Sequence, residues 1–292
     1  MEAQPKSKRK KRSIIADIWY RFKKNKTAVG GLIMLCILLF FALFAGIISD
    51  YETRAIHHNS ANRLQPPSSD NFFGTDEFGR DIFTRVIFGM RNSLVMAVSA
   101  TAASLLIAIV IGSIAAFYSG WIDSVIMRIL DMFLGLPMIL LAIAISASLG
   151  PGGFNLVIAM TISQIPGFTR VTRSAILNIV GQEYIEVAKS YGSNDTEIIY
   201  QHILPNAIGV IIVQATMAVS TTILSIAALS YLGLGIQPPA PELGSMLSDG
   251  RDFMRHSPNM VIFPGLTIAL IALSLNLFGD GLRDALDPRL KN

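Results

Sequence analysis

Ser93-Leu-Val-Met-Ala-Val-Ser-Ala-Thr-Ala-Ala-Ser-Leu-Leu-Ile-Ala-Ile-Val-Ile-Gly-Ser-Ile-Ala-Ala-Phe-Tyr118 runs from end to end without a charge. A chain that enters hydrocarbon must satisfy its own backbone N–H and C=O groups, so an uncharged run of about 20 residues reads as a helix crossing a bilayer. Five further stretches of about that length are mostly apolar and read the same way: Thr27–Ser49, Val125–Leu149, Phe154–Ile176, Ala207–Leu234 and Val261–Leu282. Turn chemistry separates most of them. Ser119-Gly120 follows the second stretch, Gly150-Pro151-Gly152-Gly153 follows the third, and Pro238-Pro239 comes after the fifth. The expectation is an all-α polytopic membrane protein with six transmembrane helices.

Composition supports the same class. Only 15% of the 292 residues are charged, against about 25% in a soluble globular chain, and 52% are hydrophobic, with mean hydropathy +0.52. Too little charge is available to clothe a water-facing surface. The net charge of +4 is concentrated: ten of the 24 Lys and Arg precede Thr27, in Lys6–Arg12 and Arg21–Lys26. Such a tail beside a span is drawn to anionic lipid on the cytoplasmic face; no nucleic-acid partner is expected. Thr27–Ser49 exceeds the ~7–15-residue apolar region of a secretory leader and reads as an uncleaved first span. Cys36 is the single cysteine, so no internal disulfide can form.

Lys/Arg bias sets the orientation. With the basic tail inside and six crossings, both termini are cytoplasmic. Sixteen Lys and Arg then lie inside and seven outside, leaving Arg128 within a span. The connection Leu177–Asn206 must also be cytoplasmic. It reads as helix, break, helix. Glu183–Tyr191 holds good helix formers, Gly192 suits a left-handed C-cap, Ser193 or Asn194 can cap a new helix with Glu197 in a capping-box position, and Pro205 ends or kinks it at the membrane. A short capped helix held between two spans is a rigid handle for a cytoplasmic partner; the plain alternative is an amphipathic connector.

Glu186-Val187-Ala188, Gly192 and Leu204-Pro205 resemble the EAA loop of ABC importer permeases, whose pattern is Glu-Ala-Ala, Gly after three residues, and a distal Ile-x-Leu-Pro. Val187 departs from the central Ala, and His202 stands where the distal Ile is usual, with Ile203 beside it. Gly74-Thr75-Asp76, Gly79-Arg80-Asp81, Arg85, Gly89, Arg91 and Ser93-Leu94 resemble the segment before the second span in the second, C-type permease of the dipeptide, oligopeptide and nickel importers. Ile82, Phe83, Val86, Ile87 and Met90 share a helical face there, which suits a helix lying in the outer interface. Leu232-Gly-Leu-Gly-Ile-Gln-Pro-Pro239 with Pro241-Glu242 and Gly244-Ser-Met-Leu, and the ending Gly279–Arg289, are similar to the same group. The resemblance runs from about Arg21 to the end.

The resemblance implies the type I ABC importer permease fold. It divides the chain into a basic cytoplasmic tail (1–26), a first span (27–49), an extracytoplasmic segment with an interfacial helix (50–92), a permease core of five spans (93–282) carrying the coupling loop 177–206, and a cytoplasmic tail (283–292). It implies a sister permease, two ATP-binding subunits and an extracytoplasmic substrate-binding protein in a bacterial or archaeal plasma membrane. In the family the loop around Glu186, Ala188, Gly192, Ser193, Asn194, Asp195, Leu204 and Pro205 docks on the ATPase. ATP and Mg would bind those subunits; no cofactor is expected on this chain. The cargo would be di- or oligopeptides, with nickel or a metal chelate as the alternative.

Other candidates are weaker. Gln164, Gln214 and Asn276 are deep polar residues for a substrate pathway, with interhelical hydrogen bonding as the competing reading. Arg128 and Asp131, one helical turn apart, read as a local ion pair. Pro166 is a kink for gating or is simply accommodated in its span. His57 and His58 are adjacent but lack a second ligand cluster, so no metal site is expected; Met132, Met138 and Met160 read as packing. No Gly-x-x-x-x-Gly-Lys-Ser/Thr loop, Gly-x-Ser-x-Gly elbow or His-Glu-x-x-His site occurs, and this chain is not expected to be an enzyme. An ion-coupled secondary transporter would need carboxylates near span centres, where Asp and Glu are almost absent. A scaffold protein would leave the cytoplasmic element unexplained.

Overall fold

The computed structural model describes residues 14–286 and is helical throughout. In chain order the helices are α1 (Ile14–Lys24), α2 (Lys26–Leu43), α3 (Ala45–Ile48), α4 (Ile82–Tyr118), α5 (Gly120–Leu134), α6 (Met138–Leu149), α7 (Gly153–Val180), α8 (Glu183–Ser190), α9 (Asp195–Glu197), α10 (Leu204–Tyr231), α11 (Leu243–Gly250) and α12 (Asn259–Leu286). The basic run Lys6–Arg12 and the terminal Arg289 and Lys291 lie outside the described residues.

Among the described residues, four helices are long and apolar enough to cross a membrane: α2, α4, the helix running from Asp195 through α10 to Tyr231, and α12. The stretch expected as a straight third span, Val125–Leu149, is broken. α5 and α6 meet at 83° and count as a fifth span only as a bent pair. The cause is local. Pro137 has no N–H to continue the ladder and disfavours helical geometry at Leu136, while the Gly135 N–H closes α5 on the Asp131 carbonyl at 3.1 Å. From Asp131 to Leu140 every residue of this elbow is exposed. α7 has the length for a crossing, 28 residues, without the apolarity. Part of its polar surface points inward: Ser163, Gln164, Thr169 and Thr172 are buried against neighbouring helices, while Arg170, Ser174 and Asn178 are exposed.

α4 and α7 lie side by side, close enough at Gly112 that an added Cβ would sit 3.0 Å from the Thr172 Cβ. α7 also packs on α6 and α10, α10 on α12, and α12 on α2. Met90, Leu94, Ala97, Leu156, Met160, Ile223, Ile226 and Ile271 form the shared core. α2 approaches α12 through glycines. A Cβ at Gly31 would lie 2.5 Å from that of Leu277, and one at Gly281 would overlap Ala28. Small residues at such contacts let backbones approach where lipid removes the hydrophobic drive for helix pairing.

The expected interfacial helix does not exist as a separate element. Residues 82–92 are the N-terminal end of α4, which runs 37 residues because no breaker intervenes before Ser119-Gly120. Nor does it lie half in water: Ile82, Thr84, Arg85, Val86, Ile87, Phe88, Gly89 and Met90 are all buried by the outer segment and by α11.

Candidate functional site

Two polar constructions sit at opposite ends of α4. The one at its N-terminal end is built on Asp76. Its carboxylate accepts the backbone N–H groups of Phe78 and Arg80, each at 2.9 Å, and pairs with the guanidinium groups of Arg80 (2.6 Å) and Arg85 (3.3 Å). All three charged side chains are nearly inaccessible. A buried charge is tolerable only when paired and hydrogen-bonded, which this arrangement achieves. The Thr75 hydroxyl donates to the Asn62 carbonyl and accepts the Gln65 N–H at 2.8 Å. Asp81 caps α4 by accepting the Thr84 N–H at 2.9 Å. Gly74 and Gly79 have φ of +78° and +75°, and a Cβ on either would strike a backbone carbonyl, of Gln65 or Asn59. The Gly-Thr-Asp…Gly-Arg-Asp pattern is therefore a folded clasp. Phe78 carries Arg80 on one ring contact and stacks with His58 on another, at 4.5 and 4.7 Å.

This clasp grips the segment between α10 and α12. Arg85 donates to the Ala55 and Pro239 carbonyls at 2.8 and 3.2 Å, and Asn92 donates to the Pro241 carbonyl at 2.8 Å. The Ser93 hydroxyl donates to Glu242, whose other carboxylate oxygen accepts the Ser245 N–H at 2.9 Å and caps α11. Burial pushes the Glu242 carboxyl above its usual pKa against these hydrogen bonds. Sequence reading missed this second clasp. The available signal was Glu242-x-x-Ser245 before a short apolar run, the spacing of a helix N-cap.

The construction at the C-terminal end of α4 is the connection after α7. α8 ends in a Schellman turn: the Gly192 N–H reaches the Lys189 carbonyl at 3.0 Å, and the Ser193 N–H reaches back to Ala188 at 3.2 Å. Gly192 has φ +82° with open space around its Cα, so backbone conformation alone demands glycine. Asn194 is extended and begins α9, its carbonyl accepting the Ile198 N–H at 3.0 Å, but its side chain makes no cap bond. The expected capping box with Glu197 is thus not formed through side chains. Pro205 does not end the second helix either. The ladder widens into a π turn over Ile198–Ile203, the Leu204 N–H reaching Ile199, and the chain continues into α10. The wider turn accommodates the missing proline N–H.

Ile185, Ile198 and Ile203 are fully buried and pack with Phe117, Ile176, Ala207 and Ile211, which anchors the connection to the ends of α4, α7 and α10. Lys189 lies 4.7 Å over the Phe117 ring, and the Tyr118 hydroxyl faces the Asp195 carboxylate. The opposite face is bare: Glu186 and Val187 are exposed, and Tyr191 and Tyr200 are 87% and 73% exposed. Close by, Arg173 forks onto both Asp123 oxygens, and Asp131 pairs with Arg170 of α7 at 2.6 Å rather than with Arg128 on its own helix.

The three pathway candidates do not converge. Gln164 is buried, donates to the Met160 carbonyl at 3.1 Å and accepts from Thr222 at 3.0 Å, with Thr101 3.2 Å from Thr222. It ties α4, α7 and α10 together. Gln214 is half-buried on α10 and Asn276 exposed on α12.

Comparison with known proteins places the chain. Residues 108–292 match the family described as binding-protein-dependent transport system inner membrane component, and residues 13–67 match the N-terminal transmembrane domain of oligopeptide transport permease C. The dipeptide transport system permease protein DppC of Alkalihalophilus pseudofirmus is 47% identical over 94% of this chain and 90% of its own length. The di/tripeptide transport system permease protein DppC of Pseudomonas aeruginosa is 42% identical over 96% and 94%. The glutathione transport system permease protein GsiD of Pectobacterium atrosepticum is 42% identical over 94% and 91%. Among solved structures, an inward-facing conformation of the MetNI methionine ABC transporter superposes with a TM-score of 0.57 at 19% identity, over 70% of this chain and 98% of that one.

Proposed function

The chain belongs to the family of binding-protein-dependent transport system inner membrane components, a multi-pass protein of the bacterial plasma membrane, and on that premise we propose how it works. It is the C-type permease of an ATP-driven peptide importer and forms half of a translocation pathway with a sister permease. Two ATPase subunits drive it and an extracytoplasmic receptor supplies the cargo. The relatives' names all describe short peptides, which supports peptide cargo here. Six crossings with both termini cytoplasmic complete the reading, α7 being the crossing whose polar face is sheathed by α4 and α10. This chain performs no catalysis.

One observation carries the coupling assignment: α8 and the π turn Ile198–Ile203 turn a buried isoleucine face toward the ends of α4, α7 and α10, and Tyr184, Val187, Tyr191 and Tyr200 are left bare. A partner that docks on that bare face moves three long helices at once. Docking is where binding energy is converted to motion, since two conformations can be shifted only by a ligand that contacts them differently. The test is a cysteine at Asn194, which is exposed. In native membranes it should cross-link to an ATP-binding subunit and react only from the cytoplasmic side. Labelling from the exterior, or no ATPase adduct, overturns the assignment.

A further inference from the structure

α1 is joined to the first span so tightly that its orientation is fixed. Asn25 alone separates α1 from α2; its side-chain oxygen accepts the Ala28 N–H at 3.2 Å and its Nδ2 donates to Asp284 of α12 at 3.3 Å. Phe22 is buried among Ala28, Ala285 and Phe278, its ring 5.6 Å from that of Phe278. At about 1.5 Å per residue an eleven-residue helix is roughly 16 Å long, too short to cross a bilayer. α1 is thus pinned at the level where α2 enters the lipid.

The exposed side of α1 has a distinct chemistry, with the Trp19 ring stacked 5.8 Å from that of Phe22. Trp19 and Tyr20 are each nearly half exposed, the Lys23 ammonium lies 5.0 Å over the Trp19 ring, and the Lys24 ammonium lies 4.6 Å over the Tyr20 ring. Lys26 is exposed one residue beyond the hinge. Amphipathic rings settle at the headgroup level of a membrane, and lysine stems lie along apolar surface while their ammonium groups reach for phosphate. We propose that α1 is a binding site for anionic phospholipid headgroups, with Trp19 and Tyr20 setting its depth and Lys23, Lys24 and Lys26 selecting the charge. The proposal rests on the membrane reading of α2 and is independent of cargo and motor.

Trp19 provides the probe, because the chain has two tryptophans and Trp121→Phe leaves it alone. The full-length variant is placed in nanodiscs containing a minor, equal fraction of brominated phosphatidylglycerol or brominated phosphatidylcholine. Both leaflets carry the same lipid, so the result does not depend on which side the N-terminus occupies. Brominated phosphatidylglycerol should quench Trp19 about threefold more strongly, with the preference fading at high salt. The preference should vanish when Lys23→Gln, Lys24→Gln and Lys26→Gln are combined. Equal quenching by the two lipids, preference that survives the triple substitution, or absence of quenching by either lipid overturns the proposal.

Discussion

The Ser93 hydroxyl donates a hydrogen bond of 2.7 Å to the Glu242 carboxylate, joining two residues 149 positions apart at a depth where neither touches solvent. It holds α11 against the outer part of α4. Ser93→Ala removes the donor and leaves a buried carboxylate oxygen short of a partner, a loss of about 1–3 kcal/mol. We expect a lower melting temperature in detergent with helicity unchanged at low temperature. A melting temperature equal to the parent's would mean the contact is not formed.

Gly79 is the tightest point of the Asp76 clasp. Gly79→Ala combines a positive φ with a methyl group driven onto the Asn59 carbonyl, and positive φ alone costs roughly 1–2 kcal/mol. The clasp should open. Proteolysis of the segment between α3 and α4 will detect this as faster cleavage, and unchanged resistance would contradict the geometry.

Gly192 separates conformation from space. Gly192→Val has room for its side chain but cannot adopt φ +82° without strain, whereas asparagine tolerates that region. In the assembled importer Gly192→Val should keep ATP hydrolysis while losing most peptide uptake, and Gly192→Asn should retain both. Normal uptake by the valine variant would remove the inner turn from the coupling scheme.

Glu77 and Asp249 give a pH signature. Burial, ahead of all other causes, raises both carboxyls above their usual values. The folded state therefore keeps protons that the unfolded chain releases, and stability falls as pH rises from the ordinary carboxylate range near 4 through the raised folded values, then levels. Glu77→Gln carries no such penalty. Its melting temperature relative to the parent should increase as pH rises through that window, and a gap that shrinks instead would refute the assignment.

Apolar runs made most of the helices legible, because a bilayer accepts few alternatives to an uninterrupted helix. Gly192 was equally legible, as a glycine after a helix-forming stretch has few other uses. The bend at Gly135–Pro137 was hidden: the composition of Val125–Leu149 suits a span, and one proline in a membrane helix is often absorbed, as Pro166 is within α7. Pro205 reads as ending or kinking its helix, and only the ending is excluded, since the chain passes through a π turn into α10. The partner of Asp131 and the Ser93–Glu242 bond escaped for a common reason. Both are long-range contacts, and periodicity along one helix carries no information about which helix lies alongside.

The length of α4 has a mechanical consequence. It begins at the Asp81 cap in the Asp76 clasp and ends at Tyr118 facing Asp195 in the connection between α7 and α10. Thirty-seven residues without a break span about 55 Å at 1.5 Å per residue. A beam of that stiffness works as a seesaw: tilting one end outward swings the other inward. Neither end of the bundle can then be repositioned without the opposite one registering it.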